Sequence, residues 1–178
     1  MGTGLKCQGA IYKTFLDTVN NNFYAGGYFD AIENIEASSI AMWDGVQWNS
    51  LGAGIVGSVF DIEIYNNELY VVGDFTEAGG AIAGNIAKWD GAQWLNVGNS
   101  GTGAQINELE EFNGKLYICG PFQYIDGVSA RYAAVFDGST WSPLGAGFDY
   151  APIDISKSSD KIYFSGLFNF LIRFLLSD

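Results

Sequence analysis

Histidine is absent from all 178 residues of the chain. Without it there is no Ser-His-Asp triad, no Cys-His pair and no His-ligated zinc, copper or iron. Basic residues are few: Lys and Arg total 8 against 20 Asp and Glu, a formal net charge of -12. Such a balance repels polyphosphate and gains nothing from counterion release, which argues against a nucleic-acid partner. It also gives no electrostatic hold on an anionic membrane. Only 2 cysteines and 3 prolines occur. Cys7 and Cys119 are too far apart in sequence, and too few, to be a disulfide framework. Cys119, inside the apolar run Leu116-Tyr117-Ile118-Cys119, reads as a small buried hydrophobe, and Cys7 receives no role. No apolar run reaches the roughly 18 residues of a membrane span, so membrane insertion is not expected. The opening Met1-Gly2-Thr3-Gly4-Leu5-Lys6 lacks the apolar core of a signal peptide. Helical periodicity is missing throughout, and no cofactor is implied.

What is present points to strands and tight turns. Hydrophobic residues make up 48% and charged ones only 16%, a composition that folds. Gly (24), Phe (13), Tyr (10) and Trp (5) suit a β protein with many turns. An internal repeat confirms the class. Leu69-Tyr70-Val71-Val72-Gly73-Asp74-Phe75 recurs as Leu116 to Phe122, as Phe23 to Phe29 and as Ile162 to Phe168, with tyrosines at 24, 70, 117 and 163. A second block, Ile40-Ala41-Met42-Trp43-Asp44-Gly45-Val46-Gln47-Trp48, recurs at Ile86 to Trp94 and, more loosely, at Ala133 to Trp141. Each copy reads as four short strands: Val59 to Tyr65, Leu69 to Phe75, Ile86 to Trp89 and Gln93 to Val97 in the second. Asn66-Asn67, Asn113-Gly114 and the Asp-Gly pairs sit where hairpins need positive φ. Four antiparallel strands in about 46 residues is the size of a propeller blade.

These motifs resemble the kelch-like β-propeller repeats. Tyr24-Ala25-Gly26-Gly27 followed by Trp43-Asp44-Gly45-Val46-Gln47-Trp48 matches that pattern, although the double glycine becomes Val72-Gly73, Cys119-Gly120 and Ser165-Gly166 elsewhere. The Trp-Asp-Gly hairpin followed by Leu-Gly-x-Gly is similar to repeats of secreted bacterial surface proteins and of a fungal cell-surface polarity marker. The expected fold is therefore an all-β propeller of four-stranded antiparallel blades, about four of them, with repeats near 9–54, 55–100, 101–147 and an incomplete 148–178. The resemblance implies an extracellular or cell-surface setting. The missing leader and the off-pattern apolar tail, Leu167 to Leu176, predict a piece of something longer. Either the tail supplies an improvised strand and the ring closes, or open blade ends drive self-association.

Most recurring residues read as architecture. Asp44, Asp90 and Asp137 shape their own turns, and Trp48, Trp94 and Trp141 pack between blades. Gly27, Gly73, Gly120 and Gly166 mark bulges or close backbone approach. Positions that vary between copies bear on specificity. The loops 30–39, 76–85 and 123–131, with the links 52–57, 98–105 and 145–150, emerge on one propeller face, where binding residues concentrate. Their candidate binding residues are Glu33, Glu36, Glu77, Asp126, Arg131, Asp149 and Tyr150. Asp61 and Glu63 share one strand face and can point into a central channel, where they could face an ion.

Three readings of function follow. The first is a non-enzymatic binding or scaffold module that contacts a protein or carbohydrate ligand through the loop face. The second is a glycoside hydrolase or lyase using carboxylate pairs, Glu33 with Glu36 or Asp126 with Glu77. The third is a structural spacer in a longer surface array.

Overall fold

The computed structural model describes residues 6–97 and 103–167, and the backbone of 174–176. The opening residues 1–5, the link segment 98–102, Phe168 and most of the tail lie outside the described residues. Every regular element described is a strand. The first sheet contains β1 (Cys7–Asp17), β2 (Asn22–Ile32), β4 (Ile40–Trp43) and β5 (Trp48–Ser50) in that order, with β3 (Ile35–Glu36) paired to the end of β2. The second repeats the plan with β6 (Ile55–Tyr65), β7 (Glu68–Ala78), β8 (Ala81–Ile82), β9 (Ile86–Trp89) and β10 (Trp94–Asn96). In the third, β11 (Glu108–Phe112), β12 (Lys115–Cys119), β15 (Ala133–Phe136) and β16 (Trp141–Pro143) form the sheet. Its hairpin β13 (Tyr124–Ile125) and β14 (Val128–Ser129) is a separate ribbon. The fourth has β17 (Pro152–Lys157), β18 (Lys161–Gly166) and β19 (Phe174–Leu176). Here the tail does supply a strand: Tyr163 pairs with Phe174 as Tyr24 pairs with Met42 in the first sheet. All pairings are antiparallel.

Turn chemistry sets this meander. Asp44 Oδ1 accepts the N–H groups of Val46 and Gln47 at 2.8 and 2.9 Å, and Asp90 Oδ1 accepts those of Ala92 and Gln93 at 2.8 Å each. Asp137 does the same with Ser139 and Thr140. The three Asp-Gly positions are therefore structural turns. The repeated strand glycines answer a bulge on the facing first strand. A Cβ on Gly27 would strike the Ala10 carbonyl, and one on Gly73 the Ser58 carbonyl. The register shifts on both first strands, between Ile11 and Lys13 and between Val59 and Asp61.

Three apolar cores lie between successive sheets. Tyr24, Ile40 and Leu51 of the first meet Val71, Ala87 and Trp94 of the second. Tyr70, Val72 and Ile86 meet Leu116, Ile118 and Trp141. Phe112, Cys119 and Leu144 meet Ile155, Ile162 and Phe164. Phe122 and Phe164 are fully buried, and each such burial contributes about 1.5–3 kcal/mol. Trp94 also donates its Nε1–H across the first interface to the Leu51 carbonyl at 2.7 Å, which fixes an outer strand of one sheet to the next.

Candidate functional site

The first strands of the sheets converge. Read by register against their second strands, Lys13, Asp61, Glu108 and Asp154 occupy one equivalent position on β1, β6, β11 and β17. Lys13 Nζ lies 2.6 Å from Asp61 Oδ1 and 3.4 Å from Glu108 Oε1, linking three sheets. Asp61 is only 1% exposed. Its Oδ2 accepts the Leu109 N–H from β11 at 3.0 Å, and its Oδ1 accepts the Ile62 N–H. One layer along, Lys157 Nζ of β17 lies 2.7 Å from Glu110 Oε1 of β11 and donates to the Glu111 carbonyl at 2.8 Å. Glu63 sits beside this second pair, its Oε1 accepting the Ile64 N–H.

Electrostatics make this hub protonation-sensitive. Burial pushes the Glu108 carboxyl up to about 8, helped by the charge of Asp61 and a hydrogen bond to it, with Lys13 pulling the other way. Burial likewise lifts Glu63 to about 7, and repulsion from Glu110 and Asp61 adds to it. Burial lowers Lys13, but Asp61 and Glu108 more than offset that, so its ammonium is held above its ordinary value. The charge facing Asp61 is therefore the Lys13 ammonium, supplied by the chain itself. Among the described residues no group of three or more Asp, Glu or Cys side chains is arranged to hold a metal ion.

The loop face carries a cleft of about 560 Å³, lined by Gln8, Asp30, Glu36, Ser38 and Gly52 among others. It lies where the β2–β4 excursion meets the link into the second sheet. Ser38 braces that junction: its Oγ donates to the Ile55 carbonyl at 2.8 Å and its own carbonyl accepts the Ile55 N–H at 2.9 Å. Of the seven residues expected on this face, only Glu36 lines the cleft. Glu33 and Asp126 sit at hairpin turns with φ of 51° and 49°, the position Gly79 fills with φ of 63° in the second sheet. Arg131 also has positive φ, 42°, and its carbonyl accepts the Phe148 N–H at 3.0 Å. Glu77 lies on β7 opposite Val56 and Ile82. Asp149 and Tyr150 are exposed in the link to the fourth sheet. Sequence reasoning passed over Gln8 and Asp30. Asp30 stood within a flagged loop, whereas Gln8 comes from the start of β1 and carried no signal.

No protein-family model matches the chain, and no curated protein matches it.

Proposed function

We propose that the chain is a kelch-like β-propeller repeat domain of about four blades that acts as a non-enzymatic binding or scaffold module. Its setting is extracellular or at a cell surface, and its ligand is a protein or carbohydrate. The succession of equivalent antiparallel sheets with interlocked first strands supports the propeller reading. The observation that carries the binding reading is the loop-face cleft, with Asp30 and Glu36 exposed on a braced junction. Glu33 and Asp126 stand at hairpin turns, and Glu36 rather than Glu33 lines this cleft.

The test is a screen of arrayed glycans and recombinant surface proteins, followed by Asp30→Ala and Glu36→Ala variants. A ligand that loses affinity for these variants while their unfolding transitions stay in place supports the reading. Unchanged binding of every ligand found would show that the assigned face is wrong.

A further inference from the structure

A second cleft, of about 510 Å³, opens at the other end of the strands, between the hairpin turns of the first and second sheets. Its origin is a departure from the repeat. The last residue of the first strand is Asp17 on β1, Tyr65 on β6 and Phe112 on β11. Tyr65 packs edge-on against Tyr70 at 5.6 Å, reaches Phe136 of the third sheet at 6.4 Å and donates its hydroxyl to the Gly114 carbonyl. Phe112 packs edge-on against Tyr117 at 6.4 Å. In those two interfaces an aromatic ring thus fills the groove above the repeated tyrosine. In the first interface the equivalent tyrosine is Tyr24, and Asp17 offers no ring to cover it. Asp17 turns back instead, accepting the N–H groups of Val19 and Asn20 at 2.9 and 3.1 Å and the Asn20 amide at 2.8 Å. The β1–β2 turn is also two residues longer than the β6–β7 turn.

The vacated groove has two kinds of wall. Trp89, Tyr24, Met42 and Leu51 form an apolar one, with Trp89 held by its 5.5 Å contact to Trp94. Asn20, Asn22, Asn49 and Asn67 bring amides that both donate and accept. Asp44 and Asp90 stand at the rim, already hydrogen-bonded by their own turns, and Asn49 is oriented by a 2.8 Å bond to Asp44 Oδ2. The volume is that of a small-ligand site.

We propose that this inter-sheet cleft binds a neutral saccharide, with the apolar face of a sugar ring against the Trp89 indole and its hydroxyls paired to the asparagine amides. Hydroxyls donate and accept, as the amides do. The carboxylates at the cleft already accept bonds from the chain, Asp17 from Val19 and Asn20, Asp44 from Val46, Gln47 and Asn49, and Asp90 from Ala92 and Gln93, so a cationic ligand has less to gain from them. The site is separate from the loop-face cleft and stands or falls independently of it.

The test titrates the protein with neutral disaccharides (cellobiose, maltose, lactose and chitobiose) and separately with arginine amide, followed by tryptophan fluorescence and by amide NMR shifts. The expected result is saturable, millimolar binding of at least one disaccharide, with shifts at Asn20, Asn67 and the Trp89 indole. Asp17→Tyr, which restores the ring found in the second sheet, should weaken that binding by at least about tenfold. Asn67→Gly should weaken it too, and Gly keeps the positive φ of 62° that Asn67 holds in its turn, so the site remains testable if Asp17→Tyr folds poorly. Lys115→Gln, an exposed change on β12, should leave it unchanged. The proposal is overturned if no disaccharide shifts these residues, if arginine amide alone binds there, or if folded Asp17→Tyr binds as the parent does.

Discussion

Lys13 is half-buried, yet it is the residue on which the meeting of three sheets depends. It neutralises Asp61, which is 1% exposed and placed 2.6 Å away. Removing the cation would leave a buried charge with no counter-charge, a loss of about 3 kcal/mol. Lys13→Met should therefore lower the urea midpoint strongly, and Lys13→Met with Asp61→Asn should recover much of the loss. A double variant no more stable than Lys13→Met would show that the pair is not coupled. The turn aspartates act more locally. Val46 and Gln47 N–H groups bond Asp44, and Ala92 and Gln93 bond Asp90. Those bonds hold both carboxyls below the usual range, Gln47 foremost for Asp44 and Gln93 for Asp90. Asp90→Ala should lower Tm by on the order of a few degrees and Asp90→Asn by less, since Asn keeps the acceptor. Equal losses in thermal melts would assign the effect to charge instead.

At the scale of the element, the first and second strands of a sheet constrain each other through the bulge. A Cβ at Gly73 would meet the Ser58 carbonyl, a backbone atom that cannot swing away. Gly73→Ala should cost about 1–3 kcal/mol, read as a shift in denaturation midpoint, and a neutral result would contradict the close approach. The same pair of strands explains what could be read in the sequence and what could not. The second strand and the Asp-Gly hairpin keep one residue type at one interval, because their packing and turn demands are identical in each copy. The first strand does not. Lys13, Asp61, Glu108 and Asp154 are spaced 48, 47 and 46 residues apart, because the longer β1–β2 turn displaces the first copy. They also change sign, because a converging layer of four like charges would repel itself. A search for recurring identities passes over such a position, although Asp61 with Glu63 could be suspected from alternation alone. Asp17 is invisible for the converse reason: the second cleft exists where a residue fails to recur. Loop-face residues such as Glu33 and Asp126 stand out in the sequence because they vary between copies, and the structure puts both at hairpin positions with positive φ.

For the whole molecule, the converging first strands predict an unusual response to pH. Glu108 and Glu63 titrate near 8 and 7 in the folded chain against an ordinary 4.5. The native state therefore holds protons that the unfolded chain has released between those values, and stability falls as pH rises from about 4.5 to 8. The groups facing these two glutamates are Lys13, Asp61, Glu110, Asp154 and Lys157, together with the buried Cys119 thiol. No histidine titrates in the window. The turn aspartates act at the other end: their contribution is present above 3.8 and is lost as pH falls through their lowered values. Denaturant midpoints should thus be higher at pH 5.5 than at pH 8.5, and Glu108→Gln should flatten that difference. A midpoint that rises toward pH 8.5 would refute the assignment.

We propose that the first and fourth sheets also meet, so that the sheets close on one another within the chain. Light scattering coupled to size exclusion, run near pH 6 over a range of concentrations, tests it most directly. A single species at the chain mass of 19.3 kDa, independent of concentration, is the predicted result. A mass that climbs with concentration would contradict the claim, because it would mean that open sheet ends are completed by neighbouring molecules.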